Sequence, residues 1–277
     1  MQDIRQSQMY GNAVQRMGWV VEEVDGIKIF IKKFPLIGSV IKIQRPDRLP
    51  PVKLLDELAR KYRARSVSIE SSVTTNYLNP TKSNFRINNN PYLPTKTIRI
   101  DVTGNEEKIF QRFTEAKRRA VRKAVKNGVT VKQSKDINEF IKLKSKDFWP
   151  IHFLMTKDVR TLWQSFQQKN IVTLNAYSGN ILLASILLLF FDGASYYWMA
   201  ASTSEGKKLF APTLLVWEAL KLAKEKKCKV FDFEGVYDDR FHNATKKWKG
   251  FTKFKEGFGG KEVIFPEPLI KHYHTTF

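Results

Sequence analysis

The chain has 277 residues, of which 42% are hydrophobic and 13% aromatic. That is enough apolar surface for a real core and excludes global disorder; at roughly 150 residues per domain it makes one large domain or two small ones. Lys and Arg number 48 against 27 Asp and Glu, a formal net charge of +21. Self-repulsion of that size points to a polyanionic partner: nucleic acid, a phosphorylated substrate or an anionic membrane face. A generally Lys-rich proteome is the alternative reading.

The lone Cys228 excludes an internal disulfide and fits a reducing compartment. Four His and one Cys cannot supply a closed zinc site. No metal and no cofactor are expected. His272 and His274 lie near the C-terminus and are poor ligand candidates. The opening Met-Gln-Asp-Ile-Arg has no apolar h-region, so no signal peptide is expected. The longest apolar run, 181–191, is about half a membrane span. The expectation is a soluble, intracellular protein.

In chain order, residues 7–17 read as a short helix. Runs 19–24 and 27–34 are β-rich and joined by Asp25-Gly26, a hairpin signal. A third strand covers 39–43. Pro50-Pro51 opens an amphipathic helix over 52–63, with Leu54, Leu55, Leu58 and Tyr62 on one face. A short strand at 66–70 precedes an irregular stretch, 77–94. A second cycle then begins with a strand at 97–102. One long helix over 105–127 is closed by Gly128. A strand at 129–132 and helices at 137–148 and 158–168 follow. Strands 171–177, 181–191 and 194–199 form a meander turned at Ser178-Gly179-Asn180 and Asp192-Gly193. Pro212 opens a helix to about Lys227, and 229–233 is a last strand. The first third of the chain holds a shorter version of the same order. No low-complexity linker separates the two, which favours tightly packed units.

Three stretches carry chemistry. In the run from Lys117 to Lys126, Arg119, Arg122, Lys123 and Lys126 share one helical face with Arg118 beside them. Like charges at that spacing repel, and phosphate groups would offset them; a solvated basic face is the alternative. The small apolar face of Phe113, Ala116, Ala120 and Ala124 suggests close packing on a sheet. In the second stretch, Phe231-Asp232-Phe233-Glu234-Gly235, an apolar strand ends in acidic residues. Strand ends of open α/β sheets are where ligands dock. Asp232 and Glu234, sharing one face at period two, would orient an amine or move a proton. Alternatively one of them caps the loop or pairs with Arg240. The third stretch, 246–260, interleaves Lys with Trp248, Phe251, Phe254 and Phe258. Rings there suit base stacking with Lys on phosphate, or a Lys suits an oxyanion. Their spacing of three, three and four also suits a buried helical face, with the aromatics inward and the lysines outward. Cys228, between Lys227 and Lys229, is a weak candidate nucleophile. Neither a phosphate-binding Gly-rich loop nor a nucleophile elbow is present.

The order of three motifs resembles the Fem family of peptidoglycan bridge-forming aminoacyl-tRNA transferases. They are Thr114-Glu115-Ala116-Lys117-Arg118-Arg119 through Gly128-Val129; Trp217-Glu218-Ala219 followed by Phe231-Asp232-Phe233-Glu234-Gly235-Val236; and Trp248-Lys249-Gly250-Phe251 with Phe254-Lys255-Glu256-Gly257-Phe258-Gly259. The opening from Ser7-Gln8 to Gly18-Trp19 is similar too. The resemblance implies a mixed α/β fold of two tandem acyltransferase (GNAT-like) units facing a common cleft. It implies no coiled-coil arm here, since no long heptad insertion is present. The first unit would span 1–94, completed by the strand and tail 261–277; the second would span 95–260. The implied activity moves an amino acid from aminoacyl-tRNA to the stem-peptide amine of a peptidoglycan precursor, lipid II or a UDP-muropeptide. That places the chain in bacterial cell-wall biogenesis and cell shape, in the cytoplasm or at the cytoplasmic face of the inner membrane.

By the same resemblance Lys255 acts at the transferring carbonyl. Arg16 meets the muropeptide phosphates, Tyr197 binds the acceptor, and Glu70 stands where members place an Asp. Tyr237 and Lys253 are further acceptor-side candidates. Lys249 joins Arg118, Arg119, Arg122, Lys123 and Lys126 as a tRNA phosphate contact. Asp232, Glu234 and Glu70 are the candidates for a general base, should one exist. Two departures stand out: Asn12 replaces a Trp, and Gly193 falls where an acceptor-binding Arg is expected. The stretch Gly206-Lys207-Lys208-Leu209-Phe210-Ala211-Pro212 lacks the glycines with which acyl-CoA enzymes cradle pyrophosphate, and Pro212 removes a donor, which argues against a CoA donor. The competing readings are a non-catalytic nucleic-acid-binding protein, or an N-acyltransferase of the same fold with another donor or a protein acceptor.

Overall fold

The structure is a computed structural model and describes residues 1–73, 83–145 and 152–273, with backbone only at 152–154. Parts of two expected elements, 77–82 of the irregular stretch and 146–148 of a helix, lie outside the described residues, as does His274. The chain divides into two compact units. One comprises Met1, 97–236 and 248–263; the other comprises 2–96, 237–247 and 264–277.

The second of these units is built on a six-stranded sheet. Its strands are β1 (Val20–Val24), β2 (Ile27–Phe34), β3 (Gly38–Gln44), β4 (Ala64–Glu70) and β5 (Arg86–Ile87), with a late strand described below. The β1–β2 turn places Asp25 at φ 51° and Gly26 at φ 76°. Positive φ at both central residues matches the right-handed twist of the flanking strands, which is why Asp-Gly serves there. β3 and β4 run parallel, joined by the helix Val52–Lys61. That helix buries Leu55, Leu58 and Ala59 against Ile29, Ile31, Ile41, Ile43 and Val67 of the sheet.

The other unit is built on a seven-stranded sheet. Its strands are β6 (Lys96–Asp101), β7 (Val129–Ser134), β8 (Ile171–Ser178), β9 (Ile181–Phe191), β10 (Ala194–Ser202), β11 (Val230–Asp232) and β12 (Lys261–Ile264), in the order β12-β6-β11-β10-β9-β8-β7. Here too the pattern is a meander, a helix and a parallel strand: β10 pairs with β11 in parallel after the helix Ala211–Glu225. The last strand, β13 (Leu269–His272), enters the six-stranded sheet between β4 and β5.

The expected long helix over 105–127 is two helices, Glu106–Gln111 and Glu115–Lys126. Thr114 breaks it. Its hydroxyl caps the Lys117 amide and its own amide donates to the Gly257 carbonyl. Phe113 is thereby turned into an aromatic cluster with Phe110, Trp217 and Phe258. The small face of Glu115–Lys126 buries Ala120, Val121 and Ala124, while Ala116 is exposed. It packs mainly on the helix Ala211–Glu225 rather than on a sheet. Small residues on both helices let the backbones approach closely.

Candidate functional site

β10 and β11 stay paired only from Ala194↔Val230 to Tyr196↔Asp232. Beyond that point β10 continues to Ser202, and its register with β9 slips between Tyr197 and Met199. Such a bulge bends the strand and re-aims its side chains. Next to it lies a pocket of about 470 Å³, lined among others by Tyr197, Ser202, Lys207, Phe210, Phe251 and Phe254.

The chain leaves β11 through a tightly pinned turn. Asp232 Oδ1 accepts from Thr97 Oγ1 at 2.6 Å and from the Glu234 amide at 2.8 Å; Oδ2 accepts from Arg99 Nε at 2.7 Å. The Gly235 amide donates to Thr97 Oγ1 at 3.1 Å. Asp232 is buried and takes three donors, so its chemistry is that of a loop cap and ion-pair partner. Its partner is Arg99, whereas Arg240 pairs with Asp238. Glu234 does not continue the strand's alternation. It sits at φ 55°, half-buried, and Gly235 follows at φ 115°. These left-handed conformations turn two carbonyls the same way. Lys255 Nζ donates to the Phe233 carbonyl at 2.8 Å and to the Gly235 carbonyl at 2.6 Å.

Lys255 stands on the helix Lys249–Glu256, as the spacing of Trp248, Phe251, Phe254 and Phe258 predicts for a helix. The facing is different from the expected one. Lys255 is 7% exposed, while Phe251 is 39% exposed. Phe258 is buried; Trp248 and Phe254 are half-buried. The reason is the pair of carbonyl acceptors, which makes burial of an ammonium tolerable. The Lys255 Nζ also lies 4.7 Å from the ring centroid of Phe251 and 5.7 Å from that of Tyr197, both of which wall the pocket. Burial lowers its pKa from 10.5 to about 8, against the opposing pull of Glu234 and Asp232. An ammonium with two of its three N–H groups anchored has one direction left for a ligand oxygen. Burial also raises the pKa of the Tyr197 hydroxyl, which keeps it protonated.

A second desolvated lysine carries no signal of its own in the sequence. Lys117 is half-buried, with Nζ 3.8 Å from the Phe254 ring centroid and 5.0 Å from that of Phe258. Burial brings its pKa to about 8. Its place in a basic run hides it, because periodicity does not show which cation folds back onto aromatic rings. Thr97 and Arg99, which hold the Asp232 turn, have no sequence signal beyond strand alternation.

The other cations of the run differ in their contacts. Arg118 donates to the Gln111 and Phe113 carbonyls, tying the helix start to the preceding turn. Arg119 pairs with Glu115 at 3.3 Å. Arg122 and Lys123 are exposed over the rings of Phe110 and Phe210, and Lys126 is exposed. Lys249 and Lys253 are exposed on the Lys255 helix. Cys228 is buried, and burial raises its thiol pKa, which disfavours the thiolate a nucleophile needs.

In the six-stranded unit, Glu70 closes β4 and is 4% exposed. Its carboxylate accepts from the Tyr92 and Leu93 amides. Burial pushes its pKa up, opposed by those amides and by Arg45 and Lys42. Lys42, itself lowered by burial, lies over the Tyr92 ring. Arg16 ends the helix Gln8–Arg16 and is exposed. Tyr237 shares a hydrogen bond with His242 Nδ1 at 3.0 Å.

The FemAB family model matches residues 158–265. No curated protein matches the sequence. Among solved structures, FemX is 16% identical, with a TM-score of 0.78 over 98% of this chain and 92% of that one. L-PGS from Bacillus licheniformis is 13% identical, with a TM-score of 0.58 over 95% and 88%. A tandem GNAT protein from the clavulanic acid biosynthesis pathway is 10% identical, with a TM-score of 0.56 over 91% and 84%. At these identities the structures speak for the fold, and together with the family match they point to an acyltransferase. The chain thus resembles the Fem family, and it carries the two-sheet, mixed α/β fold of FemX and tandem GNAT proteins, with no coiled-coil arm among the described residues.

Proposed function

We propose that this protein is an aminoacyltransferase that moves an amino acid from aminoacyl-tRNA to the stem-peptide amine of a peptidoglycan precursor, lipid II or a UDP-muropeptide. The observation that carries the reading is Lys255, anchored by the Phe233 and Gly235 carbonyls beside the rings that wall the pocket. Donor and acceptor identities rest on the Fem resemblance. The net charge of +21 supports polyanionic substrates. A CoA donor is disfavoured by the helix start at Ala211: Pro212 has no N–H, and the Thr213 and Leu214 amides both close on the Phe210 carbonyl. Few amides are left there to cradle a pyrophosphate.

In the proposed reaction the acceptor amine attacks the ester carbonyl carbon. A C–N bond forms, the carbonyl becomes a tetrahedral oxyanion, and the remaining N–H of Lys255 steadies it. Collapse breaks the ester C–O bond. The 3′ ribose oxygen leaves with the proton that the amine gives up. The ester is already activated, so alignment of the two substrates supplies much of the acceleration and no dedicated base is required. Asp232 and Glu234 keep Lys255 charged; Asp232 also holds the turn that presents the two carbonyls. Tyr197 walls the pocket. Arg16, Tyr237 and Lys253 remain proposed acceptor contacts, Glu70 remains a candidate base in the first unit, and Arg118, Arg119, Arg122, Lys123, Lys126 and Lys249 are proposed contacts for tRNA phosphates.

The test is incubation with mixed aminoacyl-tRNAs and a UDP-muropeptide, read as a mass shift of the acceptor. Lys255→Met should abolish transfer while sparing acceptor binding. In the wild type, Lys255-dependent transfer should decline as pH rises through about 8, where the ammonium loses its proton. Undiminished transfer by Lys255→Met removes the proposed role. Equal binding of charged and uncharged tRNA, with no product for any aminoacyl group, would favour a non-catalytic nucleic-acid binder.

A further inference from the structure

The tip of the β2–β3 hairpin is an apolar wedge that no described residue packs over. Phe34 is 42% exposed, Leu36 98% and Ile37 51%. Single exposed apolar residues are ordinary, but three within four positions, with an exposed Pro35 among them, form a contiguous patch. Leu36 sits at φ +63°. That left-handed conformation suits Gly or Asn and disfavours leucine. A bulky apolar residue is thus held where both the backbone and the solvent oppose it. Folding of the hairpin gains nothing from this choice, since a turn with Gly or Asn would close the same strands.

The surroundings of the tip are cationic. Lys33 is exposed immediately before Phe34. Lys32 reaches sideways to the Met17 and Gly18 carbonyls. Arg63 is exposed, and its carbonyl accepts the Ser39 amide at 3.0 Å, which fixes it at the same end of the sheet as the tip. Lys61 stands two residues earlier and is paired with Glu22 at 2.6 Å. An apolar wedge rimmed by lysine and arginine is complementary to an anionic bilayer: the side chains enter the acyl boundary and the cations meet headgroup phosphates. A protein partner would have to supply both an apolar socket and an acidic rim. No helix among the described residues is long and apolar enough to cross a membrane, so the contact would be peripheral.

We infer that the hairpin tip Phe34–Ile37, with Lys33 and Arg63 at its rim, is a peripheral membrane anchor that seats this protein on anionic phospholipid. The experiment is vesicle flotation of the full chain, with vesicles of phosphatidylcholine alone or mixed with phosphatidylglycerol. The wild type should float with the mixed vesicles and not with phosphatidylcholine alone. The triple variant Phe34→Ser/Leu36→Asn/Ile37→Ser should lose about ten-fold or more in partition coefficient. Its thermal midpoint should not fall, because Asn is at home in the left-handed position. Lys33→Gln/Arg63→Gln should weaken the preference for phosphatidylglycerol. Vesicle binding that survives the triple substitution would overturn the inference, since another basic face would then be responsible. So would an absence of binding to mixed vesicles at low salt. A concentration-dependent dimer that the triple variant abolishes would also overturn it, because a second copy of the chain would then cover the tip.

Discussion

Lys255 makes a prediction about stability that is independent of any substrate. Its pKa falls from 10.5 in the unfolded chain to about 8 in the fold because burial penalises the charge. At pH 7 the folded protein therefore still carries the ammonium, but in a site that has cost it water, a penalty of about 3 kcal/mol for a shift of this size. The unfolded chain binds more protons between the two pKa values, so stability rises with pH across that window. Between pH 7 and 10 the contribution of Lys255 amounts to about 2–3 kcal/mol. Lys255→Met removes it. The variant also leaves the Phe233 and Gly235 carbonyls without their donor, at about 1–3 kcal/mol for each buried acceptor left unpaired. At pH 7 gain and loss roughly offset, and the two proteins should unfold at similar urea concentrations. At pH 10 the wild type should be the more stable by about 2–3 kcal/mol. Lys117, also lowered to about 8, is present in both and cancels. Urea unfolding at a series of pH values measures the difference directly. Parallel free energies for the two proteins from pH 7 to 10 would show that Lys255 is not desolvated, and the proposed ammonium site would go with it.

Three further outcomes follow from the geometry. Gly259→Ala should lower stability by about 3 kcal/mol or more, or prevent folding: Gly259 has φ +73°, and a Cβ there would meet the Arg112 carbonyl backbone; an unchanged thermal midpoint would contradict the described turn. Glu70→Gln should raise the thermal midpoint at pH 7, because burial holds the carboxyl pKa above its usual value while an amide oxygen still accepts from Tyr92 and Leu93; the gain should vanish at pH values below the ordinary glutamate pKa, where the carboxyl is neutral in both folded and unfolded chains. Replacing Arg119, Arg122, Lys123 and Lys126 by Gln should weaken tRNA binding and flatten its dependence on log salt concentration by about 0.7–0.9 for each phosphate that is no longer neutralised; an unaltered salt slope in a filter-binding titration would remove this face from the proposed tRNA site.

Local chemistry in the sequence was enough for much of the scaffold. Asp25-Gly26 and Asp192-Gly193 occupy the positive-φ turns that their residue types demand. The helix before β4 buries the face its leucines mark out. The alternation of meander, helix and parallel strand recurs in both sheets, and the motif order carried the Fem resemblance. These features depend on neighbours a few residues away, so they are legible before folding. The orientation of the Lys249–Glu256 helix is different in kind. Its aromatic and cationic residues offer two faces of comparable claim, and spacing alone favours aromatics inward. The choice falls to Lys255 because the Glu234-Gly235 turn, some twenty residues upstream, supplies two carbonyl acceptors. Likewise, only tertiary contact reveals that Asp232 is consumed by Thr97 and Arg99, that Lys117 lies on Phe254, and that β13 enters between β4 and β5. A buried charge is placed by whichever distant groups can replace its water, and no local pattern encodes where those groups will be.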